Sequence, residues 1–155
     1  MPHAIRRCSV LSGVALCALL IGGVGIAQAS DNTLRTTLNN YAPKIVKDEN
    51  AVKNGLIGYP KGKVRPLVRA LNHEVTDLHA LRKTLNHEAA SSAQGKKAKA
   101  DIVAGLSLIA AAYSSLRRDV QVAHGGPVPV SKVNSAVKTD QKGRGKLLAG
   151  LHLLA

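Results

Sequence analysis

Apolar residues recur at every third or fourth position between residues 63 and 93, and this period constrains the fold more than any other feature of the chain. The positions are Val64, Leu67, Val68, Leu71, Val75, Leu78, Leu81 and Leu85. Side chains three or four residues apart share one face of an α-helix, so the pattern predicts a long amphipathic helix that buries this face. No stretch shows the sustained alternation of apolar and polar residues that is typical of a half-buried strand.

Three further segments have helical spacing of their apolar residues. The first runs from about residue 31 to residue 56 and contains Pro43, which predicts a kink. The third covers residues 94 to 122. The last starts near Val130, and Gly143 and Gly145 are candidate break points within it. Because turns rich in glycine and proline separate these segments, the sequence predicts an all-α fold, a single antiparallel bundle of about four helices.

The first 29 residues have the features of a secretory signal peptide. Arg6 and Arg7 precede a mostly apolar stretch, and Ala27-Gln28-Ala29 has the small residues that signal peptidase requires. We expect cleavage after Ala29, a secreted or other extracytoplasmic location, and a mature bundle domain of residues 30–155. Retention of the segment as a membrane anchor stays open, because the apolar run is slightly long for a signal peptide.

The expected mature chain has few of the usual means of stabilising an exported domain. Both cysteines, Cys8 and Cys17, lie in the leader, and the whole sequence contains no Phe or Trp. The mature chain must therefore be stable without disulfides, although exported domains often depend on them. A chain of this length buries roughly two-thirds of its unfolded surface, so a core of Leu, Val, Ile and Ala is expected to suffice.

The mature chain is strongly basic. Without Arg6 and Arg7 it has 20 Lys and Arg against 9 Asp and Glu, which is a formal net charge of +11. Such a field attracts anionic envelope polymers, lipid headgroups or acidic proteins; a basic but otherwise ordinary soluble surface is the alternative. Nucleic acid is not an expected partner, since the chain lacks reading motifs and the aromatic platforms on which single-stranded bases stack.

Two basic clusters form a candidate anion-binding site. Each precedes one copy of an apolar repeat, because residues 104–110 match residues 149–155 at five of seven positions. Gly105 and Gly150 of these repeats are expected to let a neighbouring helix approach closely. If the bundle folds back on itself, the beginnings of the third and fourth helices form one basic end. The candidate residues are Lys96, Lys97, Lys99, Lys142, Arg144 and Lys146. Solvated lysines on exposed turns are the alternative.

The tetrapeptide Leu-Asn-His-Glu occurs at residues 71–74 and again at residues 85–88. A zinc-protease helix needs His-Glu-x-x-His, and neither copy has the second histidine. His73 and Asp77 have the spacing of metal ligands. At about 100° per residue both point away from the apolar stripe, so we expect them to be solvated and predict no metal site. Glu74 lies at the border of the stripe, where a lysine or arginine from another helix is expected to pair with it.

These features favour a non-catalytic protein without a cofactor. The leading hypothesis is an extracytoplasmic interaction module that contacts an anionic envelope polymer or an acidic protein through the basic clusters. A second is a membrane-surface or membrane-perturbing protein that acts through residues 140–155, where a basic stretch precedes an apolar tail. A third is a metal-dependent or carboxylate hydrolase that uses Glu74, His73 or Asp77. The sequence does not indicate an oligomeric state.

Overall fold

The computed structural model describes residues 29–155, which form four α-helices. α1 comprises Ala29–Gly58, α2 Val64–His87, α3 Ala93–Val122 and α4 Val130–Leu154. A short 3-10 turn, Tyr59–Lys61, follows α1. No strand occurs within this part of the chain, so the predicted all-α bundle of four helices is confirmed. Apart from Ala29, the expected signal peptide lies outside the described residues.

Side-chain hydrogen bonds join the helix connections at both ends of the bundle. At one end, the hydroxyl of Tyr59 donates to the carbonyl of Gly126 over 2.5 Å and joins the α1–α2 turn to the α3–α4 loop. At the other end, the hydroxyl of Ser92 donates to Asp31 over 2.6 Å and joins the α2–α3 loop to the start of α1. Ser92 also caps α3, because its Oγ accepts from the amide of Gly95. Each helix therefore runs antiparallel to the next.

The core is built from aliphatic side chains and two of the three tyrosines, Tyr59 and Tyr113. In α2 the buried apolar positions are Leu67, Ala70, Leu71, Val75, Leu78, Leu81 and Leu85, which follow the predicted stripe. Full burial of a leucine side chain contributes about 1.5–3 kcal/mol, so these stripes supply the main driving force for folding. They also fix which face of each helix remains for polar side chains.

α3 and α4 approach each other until their backbones are in contact. A Cβ atom placed on Gly105 would lie 2.7 Å from both the carbonyl oxygen of Gly143 and the amide nitrogen of Leu147. A Cβ atom placed on Gly150 would lie 2.7 Å from the carbonyl oxygen of Ala98. Real Cβ atoms do not approach other atoms so closely, and only glycine fits at these points. The prediction that Gly105 and Gly150 allow close helix packing is confirmed.

Three residues that disfavour helix, Pro43, Gly143 and Gly145, do not interrupt the helices. α4 is continuous through Gly143 and Gly145 and does not break there. Glycine in a helix is about 1 kcal/mol less favourable than alanine. Gly143 is buried against α3, and this packing outweighs that cost. α1 likewise continues through Pro43, whose side chain is exposed. The helix is not divided at Pro43, and the kink expected there stays a prediction.

Alanine substitution should separate glycines that pack from glycines that do not. We expect Gly150→Ala to lower the free energy of unfolding by about 1–3 kcal/mol, because the added methyl group overlaps the backbone of α3. Gly145→Ala is the matched control: no atom lies within 4 Å of its added Cβ, and it should raise stability by up to about 1 kcal/mol. Urea unfolding measures both. Equal effects would contradict backbone contact between α3 and α4.

Candidate functional site

Acidic and basic side chains are segregated between the interior and the surface. Each of the nine Asp and Glu residues in the described part of the chain is at least partly buried, and none is fully exposed. By contrast, 12 of the 13 lysines are exposed. The acidic groups that would partly neutralise the surface are thus withdrawn into the bundle. The exposed charge is more positive than the net charge of the sequence suggests.

The six residues of the predicted anion-binding site lie on two neighbouring helices. Lys96, Lys97 and Lys99 occupy the first two turns of α3, whereas the other three lie near the middle of α4. Lys142, Arg144 and Lys146 are not at the beginning of a helix, because α4 begins at Val130. The field of a helix N-terminus, which would favour a bound anion, is therefore absent at this cluster.

The two basic clusters nevertheless meet beside Asp101 on α3. Lys97 donates to the Asp101 carboxylate over 2.7 Å, and this hydrogen bond lowers the pKa of the Asp101 carboxyl. The charge of Lys146 on α4 lowers that pKa further, which indicates that Lys146 lies near Asp101 in the third turn of α3. The antiparallel packing of α3 against α4 therefore brings part of each cluster to one face.

Three of the six residues are occupied by contacts within the protein. Lys97 pairs with Asp101, and Lys99 donates to the carbonyls of Asn86 and Glu88 over 2.9 and 2.6 Å, where it caps the end of α2. Arg144 is held in the interior. The remaining residues have exposed side chains that no hydrogen bond or ion pair within residues 29–155 engages. These residues are Lys96, Lys142 and Lys146.

Arg144 is the centre of a buried polar cluster that joins three helices. Its Nε donates to Asp140 over 2.8 Å, and its Nη2 donates to Glu49 of α1 over 2.9 Å. Nη2 also donates to the hydroxyl of Tyr113 on α3 over 3.0 Å. The Arg144 side chain is only 17 % exposed. Burial raises the pKa of the Tyr113 hydroxyl, which therefore stays protonated beside the guanidinium.

Glu74 of α2 lies next to this cluster but does not join it. The residue is 0 % exposed, and neither carboxylate oxygen has a hydrogen-bond partner among the described residues. The expected pairing with a lysine or arginine is not found, because the guanidinium of Arg144 is taken up by Asp140 and Glu49. Burial, reinforced by the charges of Glu49 and Asp48, raises the pKa of Glu74 to about 9. Glu74 is therefore protonated at neutral pH.

A small cavity lies in front of Glu74 at the centre of the bundle. About 20 Å³ of it is open to the centres of water-sized atoms, which is room for at least one water molecule. Glu74 and Glu49 are its acidic side chains, and the rest of the wall is aliphatic. The aliphatic lining residues are Leu38, Ala42, Ile45, Leu78, Leu81, Leu106, Ile109 and Leu147.

Asp77 is buried, and its expected exposure on a solvated face is wrong. It is 6 % exposed, because α1 covers this side of α2 as well as the apolar stripe. Lys44 of α1 lies 2.7 Å from the Asp77 carboxylate. Burial, and then a hydrogen bond with Asp77, raise the pKa of Asp48 to about 6, so the two carboxyls share a proton at mildly acidic pH. His73 is exposed, as expected.

No group of three or more His, Cys, Asp or Glu side chains within residues 29–155 is arranged to hold a metal ion. Asp140 and Glu49 instead pair with Arg144, and Asp77 pairs with Lys44. Glu49, Asp140 and Tyr113 were not predicted from the sequence to be members of a polar cluster. The i,i+4 spacing of Asp140 and Arg144 is a sequence signal for their pairing, but Glu49 and Tyr113 reach the cluster only through the tertiary fold.

The apolar residues of the C-terminal segment belong to the core. Leu147, Leu151 and Leu154 are all buried, so this segment would have to leave the bundle before it could enter a membrane. Within the described range, α3 alone is long and apolar enough to cross a bilayer, judged by length and composition. Buried core helices of soluble proteins meet the same criterion, and α3 packs against both α2 and α4.

The raised pKa of Glu74 predicts that stability falls as the pH rises from acidic to mildly alkaline values. The folded protein holds this proton up to about pH 9, whereas the unfolded chain releases it near 4.5, so stability should fall as the pH rises between these values. The slope should reach about 1.4 kcal/mol per pH unit. Glu74→Gln should remove most of it between about pH 6.5 and 8.5, above the range in which Asp48 titrates. Urea unfolding at several pH values tests this; Glu88→Gln, on half-buried Glu88, should leave the slope unchanged.

Removal of Arg144 should destabilise the fold strongly. Arg144→Met leaves Asp140 and Glu49 without their cation and should lower the free energy of unfolding by about 3–5 kcal/mol. Lys97→Met is the matched control, because it also removes an i,i+4 ion pair, but one whose lysine side chain is 67 % exposed. That change should lower stability by about 0.5 kcal/mol or less. Similar losses in the two variants, measured by urea unfolding, would contradict a structural role for the buried cluster.

The chain has no match among protein-family models, curated proteins or solved structures. Its function must therefore be inferred from its own charge distribution and its own buried groups. Two features stand out in the described residues: an exposed surface that carries lysines without exposed carboxylates, and an interior that contains a carboxyl group without a partner.

Proposed function

We propose that this protein is an exported, non-catalytic interaction module that contacts an anionic envelope polymer or an acidic protein through a basic face. One observation carries the proposal: all nine acidic residues of the described chain are at least partly buried, while 12 of 13 lysines are exposed. Such a surface has little negative charge to compete with a bound anion. Its field attracts polyanions over roughly the Debye length, about 8–10 Å at ordinary salt.

The basic face that we assign is a row of lysines on α4. Lys138, Lys142 and Lys146 follow one another at intervals of four residues, and all three are exposed. Residues at this interval lie on one side of a helix, about 6 Å apart along its axis. A row of this kind suits a flexible chain with regularly spaced negative charges. Lys138 was not among the residues singled out from the sequence.

Arg144 is not part of the proposed face. Its guanidinium is held by Asp140, Glu49 and Tyr113, so an external anion would have to displace a buried ion pair. Lys97 and Lys99 have internal partners as well, but their ammonium groups lie at the surface. We treat these two as flanking residues that raise the local potential.

The proposal places the protein outside the cytoplasm, because residues 1–29 have the features of a signal peptide. We assign no catalytic role. The carboxyls whose pKa is raised to about 6 or above, Asp48 and Glu74, lie within the bundle rather than in an open cleft. A catalytic carboxylate would need to reach a substrate, and the cavity at Glu74 has room for only a few heavy atoms.

The assignment can be tested by retention on phosphocellulose, an anionic polymer matrix. A site variant carries Lys138→Gln, Lys142→Gln and Lys146→Gln. A matched control carries Lys53→Gln, Lys61→Gln and Lys63→Gln, three exposed lysines of α1 and the α1–α2 connection, so both variants lose the same charge. Each lysine close to an anionic surface contributes about 1 kcal/mol, so the site variant should bind about 100-fold more weakly than the wild type.

The control variant should elute at nearly the same salt concentration as the wild type. Equal losses in the two variants would show that only net charge matters and would remove the assigned face. A wild-type protein that flows through the column at low salt would contradict the proposed function altogether.

A further inference from the structure

The interior of the bundle contains more negative than positive groups. Around the central cavity, the carboxyls of Glu49, Glu74 and Asp140 are accompanied by one cation, Arg144. Next to them, Asp48 and Asp77 have the cation of Lys44. If every carboxyl were ionised, this region would hold uncompensated negative charge, which is strongly unfavourable away from water. Protons or an additional cation must balance it.

Glu74 is the carboxyl group that has neither a cation nor a hydrogen-bond donor as its partner in the described chain. Both of its oxygens are fully buried acceptors without a partner in the described chain, although nearly all buried polar atoms in proteins have one. The three groups to which Arg144 donates, Asp140, Glu49 and Tyr113, leave Glu74 without a direct donor. A hydrogen-bond donor from outside the chain could therefore satisfy Glu74 without displacing an existing contact.

The cavity in front of Glu74 defines what such a donor can be. Its wall is aliphatic except for Glu74 and Glu49, so it favours an apolar group that bears a single positive charge. About 20 Å³ is open to the centres of water-sized atoms, which limits the donor to a few heavy atoms. Metal ions are a poorer match, because within residues 29–155 no group of three acidic, histidine or cysteine side chains converges here.

We infer that this cavity is a binding site for a small primary ammonium ion with a short alkyl group. The ammonium N–H groups donate to the two free oxygens of Glu74, and the alkyl group contacts the aliphatic wall. Access lies between α1 and α4, which pack against each other less closely than consecutive helices do. Half-buried Ala42 and Glu49 line the cavity on the α1 side of this gap.

Binding of an ammonium ion at this site should release a proton, and this release can be measured. Near neutral pH, Glu74 carries a proton in the empty site. An incoming ammonium ion replaces it, so about one proton is released to solvent for each ion bound. The groups that face Glu74 are Glu49 and Asp48 of α1, Asp77 of its own helix, and Tyr113, Asp140 and Arg144 of α3 and α4. Because Arg144 and Tyr113 keep their protons in this pH range, the released proton originates from the carboxyls.

The test is titration of the full-length protein with ethylammonium chloride, followed by calorimetry in two buffers of different ionisation enthalpy. Ligands of three heavy atoms bind at best with a Kd of about 0.5 mM, so a millimolar Kd is expected. Tetramethylammonium chloride controls for charge and ionic strength, because this cation has no N–H group and is larger. It should bind at least about tenfold more weakly than ethylammonium.

Two isosteric variants locate the site. Glu74→Gln keeps the shape of the side chain but not its charge, and should weaken ethylammonium binding at least about tenfold and abolish proton release. Glu88→Gln should leave both unchanged. The thermal transition of each variant shows that it is folded. Undetectable binding by the wild type, or an unchanged Kd in Glu74→Gln, would overturn the inference. Neither result bears on the surface lysines, so this site and the proposed function stand or fall separately.

Discussion

The backbone contact between α3 and α4 is the constraint on which the rest of the structure depends. Gly105, Gly143 and Gly150 remove the side chains that would hold the two helices at an ordinary distance of about 8–10 Å. α4 is thereby drawn against α3, and its packing against α1 is looser than that of consecutive helices. The space that remains is bridged by Arg144 and Glu49 and contains the central cavity. The backbone contact between α3 and α4 and the polar interior therefore both follow from the close packing of α4 against α3.

The charge distribution follows from the same arrangement. A bundle without disulfides in its described part, and with tyrosines as its only aromatic residues, relies on aliphatic burial, yet it also withdraws carboxylates from solvent. A buried ion pair contributes little net stability, but it can specify one arrangement of helices over others. In this bundle the Arg144 cluster joins α1, α3 and α4 in a single register. No acidic side chain in the described part of the chain is fully exposed, which supports the proposed attraction to polyanions.

Much of the fold could be predicted from the sequence, because helix formation is local. The period of the apolar residues located all four helices, and the repeated Ala-Gly-Leu segments located the close contact at Gly105 and Gly150. The candidate site was less accessible to such reasoning. Asp77 was expected on a solvated face because one helix viewed alone has a single buried stripe, whereas α2 is covered by two neighbours. Arg144 was grouped with the surface lysines because sequence position does not reveal burial.

The sequence by itself determined the helical architecture, the basic net charge and the aliphatic core, since these depend on composition and on periods of three and four residues. Only the tertiary structure decided which charges face water. In the folded protein Glu74 is buried without a hydrogen-bond donor, and Arg144 pairs with Glu49 and Asp140. The side chains of Lys96, Lys142 and Lys146 are exposed. The physical reason is that burial and electrostatic partners are properties of neighbouring helices, brought together by packing between residues distant in the chain.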